Sequence, residues 1–212
     1  MSDCESIFKW LTRRKATYQP IRGFEHKVKP KRIAGFKKIL KTIVDHCGSV
    51  EGEKFLDIGS CVGYFCFNLT NLGAQTTGVE LIGQKSAACK CVAARDGYDV
   101  TNPHFINDNA VDWVRNTSET FDYIILLNVF HHILLHDESG GWEMFNKLIN
   151  TTKGIFVMMR NSLKQKRDGF KHWSLCSSTL EIPQAVLDAS DATDFIEYPA
   201  VHGRVIYFFW KQ

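Results

Sequence analysis

Asp57, Glu80, Asp108 and Asn128 share a setting: each is an acidic or polar side chain that closes an apolar run. A histidine pair, His131-His132, follows the last of them almost at once. A carboxylate at the end of a strand can receive a cation. Histidine is the side chain most readily tuned to move a proton near neutral pH. Adjacent histidines cannot both face a core, so at least one is expected to face a cleft. The stretch LDIGSCVGYF, residues 56–65, adds two glycines directly behind the first carboxylate. A buried run that ends in a charge and then breaks at Gly59 and Gly63 marks a turn shaped for a ligand.

Phosphate ligands do not suit this turn. A dinucleotide loop, G-x-G-x-x-G from Gly59, would need glycine at 61 and 64, where Cys61 and Tyr64 stand. A P-loop would need Gly-Lys-Ser/Thr at 64–66, which read Tyr64, Phe65 and Cys66. The remaining pattern, D-x-G-x-x-x-G, brings backbone close to a ligand without closing on a diphosphate. S-adenosylmethionine fits it, with an amino acid end, a ribose, an adenine and no phosphate. Asp57 would take its ammonium, directly or through water. Gly59 would leave room for it, Gly63 would let the next helix pack closely, and that helix's N-terminus would favour its carboxylate.

The elements that must hold these groups alternate. Ile33, Phe36, Ile39, Ile43 and Cys47 recur at helical spacing after Pro30, and Gly48 suits the end of that helix. Strands are expected at 54–59, 76–81, 104–108, 121–129 and 154–160. Helices are expected at 62–72, 84–95, 110–116 and 142–150, with another around Pro183. FIEYPA and RVIYFFW are too close for a crossover, so they form an antiparallel hairpin. Continuous apolar strands separated by helices imply an α/β three-layer sandwich: a mostly parallel seven-stranded sheet, helices on both faces, and a C-terminal antiparallel hairpin. Residues 1–28 lack a sustained period and read as a basic arm or lid, with 29–212 as one domain.

On these residues the chain resembles the class I, Rossmann-like S-adenosylmethionine-dependent methyltransferases over roughly residues 50–212. The resemblance implies that Glu80 grips the ribose hydroxyls, Asp108 and Asn109 read the adenine edge, and Asn128 lies beside the methyl group. It extends cofactor contact to Ser60, Phe65 and Leu81. It also implies that Tyr18 and Gln19, ahead of the first long helix, close over the methionine end, with Arg22 and Lys27 near the acceptor. Cys61 departs from the pattern, since many members have glycine there. A weaker similarity, carried by NVFHHI, the following helix, GIFVMM and the glycine turn, is to the methyltransferase domain of O-antigen chain-terminating methyltransferase/kinase proteins. That similarity implies a phosphate at the end of a sugar chain as acceptor.

The acceptor side is otherwise read from charge. Twelve lysines and arginines lie between Lys9 and Lys41 against a single acid, Glu25, although the net charge is only +3. A second cluster holds Lys164, Lys166, Arg167 and Lys171, and Arg160 ends the fifth strand. These favour a phosphate-bearing partner: a small molecule or chain end, or alternatively RNA. An anionic acceptor needs alignment by cations such as Arg22, Lys27 and Arg160. An alcohol would need a base, for which His131 and His132 are the candidates. Asn128-Val129-Phe130-His131 lacks the D/N-P-P-Y/F of adenine N-methyltransferases. His132, His136, Asp137 and Glu138 suggest a metal, but positions 127–130 lack the glutamates that small-RNA 2′-O-methyltransferases set before their histidines, so none is expected. A non-catalytic binding protein on the same fold is the third reading.

Composition, 44% hydrophobic and 23% charged over 212 residues, is that of a globular chain. No apolar run reaches the roughly 18–20 residues of a membrane helix, and MSDCESIFKW is neither a signal nor a transit peptide. Seven cysteines without a CxxC pair are expected to be buried free thiols in a reducing, cytoplasmic setting.

Overall fold

The structure, a computed structural model, describes residues 2–13, 18–25, 30–160, 162–163, 173–175, 178, 181–201 and 203–212. Lys27 and the cluster of Lys164, Lys166, Arg167 and Lys171 lie outside the described residues. The elements, in chain order, are α1 (Ser2–Arg13), α2 (Pro30–Cys47), β1 (Lys54–Ile58), α3 (Tyr64–Thr70), β2 (Gln75–Val79), α4 (Gly83–Asp96), β3 (His104–Ile106), α5 (Ala110–Asn116), β4 (Tyr123–Leu127), α6 (Phe130–His136), α7 (Glu138–Ile149), β5 (Gly154–Met158), β6 (Ser162–Leu163), β7 (Trp173–Ser174), α8 (Ile182–Ala189), β8 (Asp194–Val201) and β9 (Arg204–Trp210). Seven strands form one mostly parallel sheet in the order β3-β2-β1-β4-β5-β9-β8, and β6 pairs with β7 alone. This is the expected α/β fold with its antiparallel C-terminal pair. The chain divides into two compact units, residues 1–112 and 113–212.

In the first unit, β1 pairs in parallel with β2, and β2 with β3. After its first residue β1 is buried throughout, as is β2, which is what strands covered on both faces require. On α2 the apolar period is used as expected: Phe36, Ile39 and Ile43 are buried, and the helix stops where Gly48, at φ 71°, donates back to the Val44 carbonyl. Helix α1 lies in the stretch read as lacking a sustained period, and Ile7, Phe8 and Trp10 pack against the cluster that contains Cys89 and Val92 of α4.

That packing corrects the cysteine expectation. Cys4 and Cys91 are joined in a disulfide, with Cα atoms 5.6 Å apart, across 87 residues of sequence. They meet because α1 lies on α4, a non-local contact that spacing does not reveal. Cys61, Cys66 and Cys89 are buried free thiols as expected, and Cys47 is a partly buried thiol.

In the second unit, β4 and β5 pair in parallel and are buried at every position. β9 pairs antiparallel with β5 and with β8. Two helices follow β4 where the sequence suggested one. FHHILLH, which follows the expected strand directly, is α6, and α7 begins at Glu138, four residues before Trp142. Asp137 explains the early start: its carboxylate accepts from the Gly140 amide and caps the helix through the glycine pair. Gly141 is the contact point, since a Cβ there would stand 2.9 Å from Leu134 Cδ2 of α6.

Candidate functional site

The first unit collects most of the expected cofactor residues at the ends of β1 and β2. Gly59 and Gly63 take φ 72° and 76°, and Cys61 between them takes 56°. Left-handed backbone is costly for a residue with a Cβ, roughly 1–2 kcal/mol, so glycine would fit the middle position with less strain than Cys61. Gly63 is required twice over: a Cβ there would stand 2.9 Å from ring atoms of both Phe105 and Phe67. The amides of Gly59 and Ser60 donate to the Val79 carbonyl, which ties the turn to β2.

Two carboxylates sit inside this frame. Asp57 is 4% exposed, and the hydrogen bond it accepts comes from the Cys66 thiol at 3.8 Å. Burial pushes its carboxyl up to about 8, against the opposing pull of that thiol and with a smaller push from the Glu80 charge. A buried carboxylate with so little compensation is ready to receive a cation. Glu80, also buried, accepts from the Cys61 amide at 3.0 Å and from the Ile82 amide at 2.8 Å. It braces the turn with one lone pair on each oxygen, and a carboxylate has about four acceptor sites. Ser60 is fully buried and its hydroxyl has no hydrogen-bond partner.

The remaining cofactor candidates are more varied. Gln19 is buried and its side-chain oxygen accepts from the Val62 amide at 3.4 Å, so the arm reaches the glycine turn. Tyr18 is 39% exposed and stacks on Phe36 at 6.0 Å. Phe65 is a core ring against Phe36 and Tyr64, and Leu81 is exposed. Asp108 is exposed and accepts from the next amide. Asn109 caps α5, its side-chain oxygen accepting from Val111 at 2.8 Å. The sequence reading missed Asn107, whose amide donates to the carbonyls of Glu80 and Leu81 at 2.8 and 3.0 Å and links the ends of β2 and β3. Arg22 pairs with Asp96 at 2.7 Å and lies over the Tyr98 ring, and it also lines a cavity of about 410 Å³ with Lys37 and Tyr64.

The second unit holds Asn128, the histidines and Arg160 around the end of β4. Asn128 takes φ 61°, and its side-chain oxygen accepts from Arg204. Arg204 opens β9 and was not singled out in the sequence, because nothing local distinguishes it from a solvated strand-end arginine. His131 is 2% exposed with its Nδ1 unpaired, and its ring is 4.4 Å from that of His132. Burial pushes the His131 imidazole down to about 3, helped by the positive charges of His132, Arg204 and Arg160. His132 is lowered too, by burial first and then by His136, Arg160 and Arg204. Both rings are neutral near pH 7, and the charges acting on His131 are all positive.

A parallel α/β sheet with an antiparallel terminal pair, a glycine turn behind β1 and acids at the ends of β1 and β2 define the class I methyltransferase architecture. Residues 56–150 match the family model described as a methyltransferase domain. Residues 56–150 are accordingly similar to methyltransferase domains, and the fold is the Rossmann-like one of S-adenosylmethionine-dependent methyltransferases. The chain is 26% identical over 108 residues to the O-antigen chain terminator bifunctional methyltransferase/kinase WbdD of Escherichia coli, a match that covers 48% of this chain and 14% of that protein. Among solved structures it is similar to a crystal structure of WbdD, with a TM-score of 0.66, 17% identity, and coverage of 98% of this chain and 46% of that one. It is also similar to magnesium protoporphyrin IX methyltransferase (ChlM) from Synechocystis PCC 6803 with bound SAH, with a TM-score of 0.56, 14% identity and coverage of 84% of each chain. This chain thus spans less than half the length of the WbdD proteins it matches. No described helix is long and apolar enough to cross a membrane.

Proposed function

We propose that the chain binds S-adenosylmethionine on its first unit and methylates an oxygen of an anionic acceptor, a phosphorylated or glycosidic small molecule or chain end. The residues present suit the donor: Asp57 is a buried carboxyl in want of a cation, and Gly59 and Gly63 let backbone approach closely. When bound, the donor supplies an electrophilic methyl on a sulfonium. Asp57 would hold its ammonium, Glu80 its ribose, and Gln19 the turn that carries both. Asp108, Asn109, Asn128 and the side chains of Ser60, Phe65, Leu81 and Tyr18 remain candidate contacts on the same reading.

The observation that carries the acceptor class is the charge around His131 and His132, where Arg160 and Arg204 add positive charge to two imidazoles that burial already keeps neutral. An anion would be welcome there, and an anionic oxygen needs no base. This reading makes the histidines orienting groups and gives cation contact to Arg160, with Arg22 and Lys27 as further candidates. The similarity to WbdD is consistent with an acceptor at the end of a glycan. A second reading, RNA methylation, draws on the exposed Arg32, Lys37, Lys38 and Lys41 of α2.

Calorimetry with S-adenosylhomocysteine tests the donor half: Glu80→Ala should weaken binding roughly tenfold to a hundredfold, the worth of a charge-assisted hydrogen bond. Methyl transfer to phosphorylated glycan ends, compared with RNA, tests the acceptor half. Steeply salt-dependent RNA binding together with RNA methylation would replace the proposal by the second reading, and donor binding with no transfer to any acceptor would favour a binding protein.

A further inference from the structure

Arg95, in the last turn of α4, is the hub of a contact set that no motif announces. Its Nε donates to Asp96 Oδ1 at 2.7 Å, and its Nη2 donates to the Arg22 carbonyl at 2.9 Å. The other oxygen of Asp96 accepts from Arg22 Nε at 2.7 Å. The Arg95 guanidinium also lies over two rings, Phe24 at 5.7 Å and Phe8 at 6.0 Å, which are themselves 5.0 Å apart. Gly23, at φ 79°, leaves the space open: a Cβ there would stand 2.8 Å from Arg95 Nη1. Three parts of the chain are therefore fastened at one side chain: α1 through Phe8, the 21–24 turn, and the end of α4.

The turn held by Arg95 leads straight to the glycine turn. The Phe24 amide donates to the Ile21 carbonyl and closes the turn. Ile21 is 2% exposed and packs in the same cluster as Cys61 and Val62. Two residues earlier, Gln19 accepts from the Val62 amide. An exposed ion pair alone contributes little, about 0–1 kcal/mol. Here the pair is combined with a carbonyl contact and two ring faces on a side chain 37% exposed, which gives the fork a fixed geometry.

We propose that Arg95 is a positioning residue for the methyl-donor site: it clamps the 21–24 turn so that Gln19 stays against the Val62 amide and the arm stays seated on the glycine turn. The proposal rests on the reading that this turn takes S-adenosylmethionine. The Cys4–Cys91 disulfide completes the clamp from the far side by holding α1, and with it Phe8, against α4.

The test is Arg95→Ala in the full chain, read in two ways. Amide hydrogen exchange on the ligand-free protein should quicken roughly tenfold or more at Phe24 and Val62, as expected when a local contact network opens, and should stay unchanged in β1. The KM for S-adenosylmethionine should rise roughly tenfold, about the worth of one lost hydrogen bond, with kcat at saturating donor kept. In a Gln19→Ala background the KM effect of Arg95→Ala should disappear, because both act through one contact. Gly23→Ala, which pushes the guanidinium from its seat, should reproduce the phenotype and carries the test if Arg95→Ala does not fold. Unchanged exchange at Phe24 and Val62 would overturn the proposal, as would a KM effect of equal size in both backgrounds. A wild-type protein that fails to bind the donor would refute the donor reading instead, while the exchange data still decide the clamp.

Discussion

The glycine turn of the first unit and the end of β4 in the second both bury ionisable groups, yet they do so with opposite sign. Behind β1, burial raises the Asp57 carboxyl to about 8, and the neighbouring Glu80 raises it further. Behind β4, burial lowers His131 to about 3, and the neighbouring charges, all cationic, push the same way. In each place desolvation and the nearest charges act together, which is unusual for groups whose only task is structural, since structural pairs tend to neutralise one another. On the proposed reading, one region would take a cation and the other an anion. A sulfonium donor with an ammonium and a phosphate-like acceptor would satisfy the two in turn.

The largest expected effect strikes the first of these preferences. Asp57→Asn should cost the donor about 3–5 kcal/mol of affinity, the usual loss when one partner of a buried charge pair is removed. Protons report on the same group. The free carboxyl is mostly protonated at pH 7 and should ionise when an ammonium arrives, so binding should release close to one proton. Calorimetry in buffers of different ionisation enthalpy measures this directly. For stability, a carboxyl raised in the folded state contributes fully below its unfolded value of 3.8, and that contribution is lost as pH rises through about 8. Chemical denaturation of the ligand-free protein between pH 5 and 9 should show the decline, and Asp57→Asn should flatten it. An unaltered slope in the variant would break the comparison at its first term.

Geometry separates the regions as well. Gly63→Ala should destabilise the protein by about 2–4 kcal/mol, since a left-handed residue gains a Cβ against two buried rings. Gly141→Ala, between α6 and α7, should cost about 1–2 kcal/mol, because its Cβ meets the flexible end of Leu134 and the backbone is helical. Equal losses in urea titrations would show that the turn is no tighter than an ordinary helix contact.

This contrast tracks what could be read from the sequence. The donor turn was legible because its requirements are local: a carboxylate at a strand end and glycines at fixed offsets specify the φ values that the chain adopts. The parallel sheet and terminal hairpin were legible because apolar runs and short connections constrain topology. Side chains recruited from elsewhere were not. Arg95, Arg204 and the Cys4–Cys91 bond act across the fold, and nothing near them in sequence marks the partner. Helix capping was not legible in either place. Asn109, expected at the adenine edge, also caps α5, and Asp137, weighed in the sequence as a metal ligand, starts α7. Both are local hydrogen bonds of Asn and Asp, residues that serve caps and ligands with the same oxygen.

The anion preference behind β4 gives a smaller effect of the opposite pH sign. An imidazole lowered in the folded state contributes stability above its unfolded value of 6.5, which is lost as pH falls through about 3. Thermal unfolding between pH 4 and 7 should therefore show acid sensitivity that His131→Asn reduces. A bound anion would raise the imidazole, so inorganic phosphate should protect more at pH 5 than at pH 7. In transfer assays His131→Asn should raise the acceptor KM more than it lowers kcat. A hundredfold or larger fall in kcat alone, the usual worth of a general base, would instead make His131 a base and the acceptor a hydroxyl.

The smallest expected effect comes from two non-glycine residues in left-handed backbone among the described residues, Cys61 at φ 56° and Asn128 at φ 61°. Glycine at either position relieves about 1 kcal/mol of backbone strain. At position 61 it also removes a small buried side chain, a loss of similar size, while the partners of the main chain survive: the Cys61 amide still donates to Glu80 and its carbonyl still accepts from the Cys89 thiol. Cys61→Gly should therefore change stability by less than about 1 kcal/mol and leave donor affinity intact. At position 128 the side chain is itself the contact, accepting from Arg204. Asn128→Gly should be as stable as wild type but should raise the acceptor KM, because Arg204 loses the group that aims it. Steady-state kinetics on the two variants put the regions side by side. If Asn128→Gly proves as silent as Cys61→Gly, the left-handed turn behind β4 is a packing device, and the anion preference rests on Arg160 and the histidines alone.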